Sequence, residues 1–178
     1  MSDKKLVHKG SHISLYKQQV ALPDNRHVYY DVVAHPGGAV ICAIDANHRL
    51  CLITQPRPAV NSHVWEFPAG CLETGESPLT TAKRELEEET GFIANNWCDL
   101  GHIVTAPGFC DEKLYLFVAS QLTETATNFD DEEQIESHWL TTTEIDTKIA
   151  TGEINDAKTL GLLYKLKNHT DYSYLWNE

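Results

Sequence analysis

The chain has 178 residues, 42% of them hydrophobic and 22% charged, which suits one soluble domain with its own core. A formal net charge of −12 argues against nucleic acid or an anionic membrane as partner, and no apolar run approaches the roughly 18 residues that span a bilayer. A small phosphorylated ligand stays compatible, provided that a metal ion supplies the missing positive charge.

The opening stretch MSDKKLVHKGSH is charged with no apolar core behind it, so no signal peptide is expected. Residues 13–22 and 27–34 read as strands joined by the turn-prone Pro23-Asp24-Asn25. A Pro-Gly-Gly at 36–38 leads into apolar strands over 39–44 and 50–54, separated by a turn at 45–49. Residues 65–67 form a short strand stopped by Pro68. Ser77 followed by Pro78 predicts a helix start, and Gly91 suits the position just past its end. Strands are predicted over 100–105, 114–119 and 135–140, and helices over 142–150 and 156–168. Strands in runs with three interspersed helices suggest α+β or an α/β/α sandwich around a mixed sheet. The five cysteines are scattered without a Cys-x-x-Cys pair, as expected for reduced thiols in a cytoplasmic protein, and the nine histidines show no metal-ligand spacing.

The segment GCLETGESPLTTAKRELEEETGF concentrates negative charge. On a helix, Leu79, Ala82 and Leu86 fall within roughly 60° of one another and make an apolar face. Glu85, Glu88 and Glu89 share a neighbouring face, while Glu87 points the other way. Arg84 can pair with Glu88 or reach back to Glu76. A solvated acidic surface explains such a strip as well as a cation site does, but clustered carboxylates are the hard oxygen ligands that Mg²⁺ prefers.

Gly70, five residues, Glu76, seven residues, Arg84-Glu85-Leu86, one residue, Glu88-Glu89, one residue and Gly91 together resemble the Nudix box at all seven fixed positions. The resemblance implies an α+β fold, a Nudix-type α/β/α sandwich with a mixed sheet plus N-terminal antiparallel strands, divided as 1–38 and 39–178. It also implies hydrolysis of a nucleoside diphosphate linked to another moiety with Mg²⁺, or Mn²⁺ in its place. Carried over residue by residue, it makes Glu85, Glu88, Glu89 and the Ala69 carbonyl the metal ligands, with Arg84 and Glu76 bracing them.

Several flanking stretches narrow the resemblance to the ADP-ribose pyrophosphatase and nucleoside diphosphate-sugar hydrolase branch. They are Gln55-Pro56-Arg57, Trp65-Glu66-Phe67-Pro68-Ala69, Pro107 sixteen residues past Gly91, and Asn155-Asp156-Ala157-Lys158-Thr159. Arg57 is the candidate for contacting the diphosphate or the nearby ribose, because a guanidinium matches phosphate as a fork, and the resemblance implies that the loop with Pro107 and Phe109 shapes the terminal-ribose side. The resemblance implies that an acidic loop after the box supplies the general base; here that is 130–136, with Glu133 favoured as base or extra metal ligand and Glu132 and Glu136 as alternatives. Tyr29 or Tyr30 is a candidate base platform, offered from a partner subunit of a homodimer. Two rival readings are a hydrolase preferring GDP- or UDP-sugars or capped RNA ends, and a module that only senses ADP-ribose. The filled ligand positions disfavour the sensor, and the chain after Leu140 is too short for a separate further domain.

Overall fold

The computed structural model describes residues 4–125 and 134–177. Its elements run β1 (Lys4–Lys9), β2 (Ser14–Ala21), β3 (His27–Ala34), β4 (Gly38–Ala43), β5 (Leu50–Arg57), β6 (Ser62–Glu66) and β7 (Ala69–Cys71), then helix α1 (Pro78–Thr90). They continue β8 (Phe92–Val104), β9 (Lys113–Glu124), β10 (Glu136–Leu140), α2 (Thr142–Ala150) and α3 (Ala157–Lys167). The fold is α+β, with a four-stranded mixed sheet ordered β7-β4-β9-β8 and two three-stranded antiparallel sheets, β10-β5-β6 and β1-β2-β3.

Strand β4 shows how the layers form. It runs parallel to β9, and all six of its residues are buried, as expected for a strand covered on both faces. Because side chains alternate along a strand, Val40, Cys42 and Ile44 face a cluster with Ile145, Leu162 and Leu166 from α2 and α3. Ala39, Ile41 and Ala43 face Ala82 and Leu86 of α1 instead. One sheet therefore separates two apolar cores, the sandwich expected from the sequence.

Several boundaries differ from the sequence reading, each for a physical reason. Strand β8 begins at Phe92, well before residue 100, because its polar Asn95 and Asn96 lie on an exposed edge. Strand β1 carries no buried residue at all, so it leaves no apolar pattern to detect. Leu79, expected on the apolar face of α1, is 36% exposed; Thr81 is fully buried in that helix. Both predicted caps of α1 hold: Ser77 accepts from the Thr80 amide, and Gly91 takes a left-handed φ of 72°. Among the described residues no helix is long and apolar enough to cross a membrane.

The β1-β2-β3 sheet meets the rest of the chain through a backbone clasp. The Val33 amide donates to Phe109 O at 2.7 Å, and the Asp111 amide donates to Val33 O at 3.1 Å. That clasp fixes the 107–111 loop against the end of β3.

Candidate active site

Helix α1 delivers its acids to the backbone of β7. The buried Glu89 accepts from the Ala69 amide at 2.9 Å through Oε2. Gly70 lies against Glu85 so closely that a Cβ there would sit 1.8 Å from Glu85 Oε1. The absence of a side chain at residue 70 is what lets the Glu85 carboxylate occupy that space. The two ends of the sequence motif are therefore brought into one corner by packing.

Arg84 sits at the centre of the acids and meets both partners suggested by its spacing. Its Nη1 donates to Glu85 Oε1 at 2.7 Å and to Glu88 Oε2 at 2.9 Å. Its Nε and Nη2 grip the Glu76 carboxylate at 3.2 and 3.1 Å, and Nη2 also reaches Cys71 O. The Arg84 hydrogen bonds, joined by one from Thr81, hold Glu76 down at about 2, and the same carboxylates push the guanidinium's own pKa up. Glu76 therefore contributes stability that is fully present above about 4.5, its ordinary value, and lost as pH falls towards about 2. Melts across that window should show Glu76→Gln converging with the wild-type protein at the acid end and falling below it at neutral pH. Parallel curves over the whole range would show that the brace does not depend on the Glu76 charge.

The donor set suits a hard divalent cation: carboxylate oxygens, a backbone carbonyl next to them, and a cradle that a Cβ at residue 70 would fill. Among the described residues, no three acidic, histidine or cysteine side chains already converge as a metal cluster. Arg84 is hydrogen-bonded to two of these carboxylates, Glu85 and Glu88.

The opposite wall holds a charge cluster in which the sequence reading gave a role to Arg57 alone. Arg57, at the end of β5, meets Glu66 of β6 side-on, with Nε on Oε1 and Nη2 on Oε2, both at 2.7 Å. Lys158 at the start of α3 also bonds Glu66 Oε2, and lies 3.1 Å from Asp156 Oδ2. Glu66 is only 2% exposed. Burial pushes its carboxyl up, but Arg57 and Lys158 outweigh that effect and leave it below the ordinary range. Thr159 completes the clasp, its hydroxyl accepting from the Phe67 amide at 3.0 Å and donating to Asp156. Glu66 and Lys158 carried a signal that could have found them: an acid in an apolar strand needs a cation, and Lys158 stands in a stretch already set apart by resemblance.

Between these walls lies a cleft of about 630 Å³ lined by Arg57, Gly70, Glu85, Glu89, Glu112 and Lys158, among others. Pro107 and Phe109 stand exposed on the turn beside it, and Thr105 and Glu112 take the wall position instead. Glu112 is held there by the Thr105 hydroxyl at 2.6 Å and lies 3.3 Å from His35 Nδ1. Tyr29 and Tyr30 are 60% and 49% exposed on β3. Glu87 is exposed, as its helical angle implies. Glu132 and Glu133 lie outside the described residues, and Glu136 opens β10 with its side chain 81% exposed.

Comparison with known proteins agrees with this geometry. Residues 34–163 match the model of the NUDIX domain family. The chain is 34% identical over 158 residues to an ADP-ribose pyrophosphatase of Bacillus subtilis (strain 168), covering 88% of this chain and 85% of that one. It is 35% identical over 156 residues to a methanol dehydrogenase activator of Bacillus methanolicus, covering 86% and 84%. A crystal structure of an ADP compounds hydrolase superposes with a TM-score of 0.81 at 20% identity, over 93% of this chain and 90% of that one.

Proposed function

Because the chain belongs to the Nudix family and is a hydrolase of the ADP-ribose pyrophosphatase type, we propose that it cleaves ADP-ribose or a related nucleoside diphosphate sugar with Mg²⁺. The products are a nucleoside monophosphate and a sugar phosphate. The observation that carries this reading is the two-walled cleft, with the acids of α1 on one side and Arg57 and Lys158 on the other. A diphosphate needs both walls: cations for its oxygens, and acids for the ion that neutralises the rest of its charge.

Glu85, Glu88, Glu89 and the Ala69 carbonyl would hold the ion, which when bound polarises phosphorus and makes a nucleophile of water. Arg84 and Glu76 set the positions of those carboxylates. Arg57 orients the diphosphate, its Nε and Nη2 fixed on Glu66 so that the Nη1 edge faces away from that partner. Glu133 takes the proton of the attacking water, with Glu112 on the terminal-sugar side of the cleft, flanked by Pro107 and Phe109.

The N-terminal strand region, residues 1–38, forms part of a dimer interface in this reading. Its support is the β1-β2-β3 sheet, which leaves Leu6, Val7, Tyr29 and Tyr30 exposed. A second copy covering that sheet would bring its tyrosines to the nucleoside end of the site. Incubation with Mg²⁺ and ADP-ribose, GDP-mannose, UDP-glucose, NADH or diadenosine polyphosphates should give fastest cleavage of ADP-ribose. Failure to cleave any of them would overturn the proposal, and faster turnover of GDP-mannose or UDP-glucose would move the base preference.

A further inference from the structure

Gln55 lies two residues before Arg57 on β5, on the same face of the strand, and lines the same cleft as Glu89, Arg57 and Lys158. It is 7% exposed, among the few buried polar side chains of the protein. Its amide nitrogen Nε2 has no hydrogen-bond partner among the described residues. A buried donor without an acceptor is costly, and the great majority of such groups in folded proteins are satisfied. Its neighbours do not relieve it: Arg57 and Lys158 are themselves donors engaged with Glu66, and the Glu89 carboxylate accepts from the Ala69 amide and not from Gln55.

We infer that Gln55 is a substrate-binding residue whose Nε2 donates to a diphosphate oxygen, beside the outward edge of Arg57. A diphosphate is rich in acceptors and brings no donor that would compete. The amide adds a hydrogen bond without adding charge, so it can stand close to the carboxylates of α1 and still accept an anion's approach. The chain thus leaves a donor unpaired until the ligand arrives. This rests on the diphosphate-hydrolase reading above, but on no particular base or sugar.

The assignment makes stability and affinity move in different directions. Gln55→Leu removes the orphaned donor and keeps the buried volume, so its thermal midpoint should equal or exceed that of the wild-type protein. A non-hydrolysable methylene analogue of ADP-ribose should bind it about tenfold more weakly by calorimetry, with a matching rise in KM. Gln55→Glu places an acidic acceptor where the donor was, and should bind the analogue more weakly still.

Methylenediphosphonate, measured in parallel, separates the two readings. If the wild-type protein binds it but not the ADP-ribose analogue, the substrate reading fails, and about tenfold weaker binding of methylenediphosphonate by Gln55→Leu still supports the Gln55 assignment. A clear drop in the midpoint of Gln55→Leu, with unchanged affinity for both probes, would make Gln55 a structural residue and overturn the inference. A loss confined to kcat, with KM and binding intact, would overturn it as well, because it would place the amide on the reacting water.

Discussion

Glu89→Gln is expected to lower kcat on the diphosphate substrate by about 10³-fold, the scale set by removing one preorganised charge from a polar catalytic site. The fold should not notice. Glutamine keeps an acceptor oxygen for the Ala69 amide, which holds Glu89 Oε2 at 2.9 Å. The residue is 3% exposed, so a neutral isostere also escapes the cost of burying a charge. The midpoint of thermal unfolding should therefore match or exceed that of the wild-type protein, while Mg²⁺ binding by calorimetry weakens. Full turnover in this variant would remove Glu89 from the proposed metal site.

Gly70→Ala should cost about 10²-fold in activity although it touches no charge. Its new Cβ would lie 1.8 Å from Glu85 Oε1 and 1.9 Å from Glu85 Cδ, distances that no non-bonded pair of atoms tolerates. The carboxylate has to give way, and it sits at the end of a flexible side chain, so the strain is released there and not in the backbone. A small loss of stability, below about 1 kcal/mol, should accompany the large loss of turnover. Measured turnover near the wild-type value would mean that Glu85 performs its role from the displaced position, and the packing argument would fail.

Much of this arrangement was legible in the sequence, and the reasons are local. Helix α1 announces itself through Ser77, Pro78 and Gly91, whose conformational demands do not depend on the rest of the fold. The facing of Glu85, Glu88 and Glu89 follows from helical geometry once that helix is placed. Glu66 was missed as Arg57's partner because the β5-β6 register sets Arg57 across from Ser62 and Glu66 across from Ile53, so only the reach of the guanidinium along the hairpin joins them. Lys158 lies 92 positions from Glu66, and only the docking of α3 brings them together. Strand β7 is three residues long, too short for any periodicity, yet it holds the Ala69 and Gly70 backbone on which the acids converge.

Arg84 has a consequence for how the protein comes to be active. By bonding Glu76, Glu85 and Glu88 at once, it serves as a resident counter-ion for a face that would otherwise repel itself. Many small metal-binding domains, zinc fingers among them, fold only as the metal arrives. Under the proposed metal reading assembly and loading would be separate events, because the guanidinium already balances these carboxylates before an ion binds. Chelation should then silence the enzyme without melting it, and returning the ion should restore turnover without a refolding step.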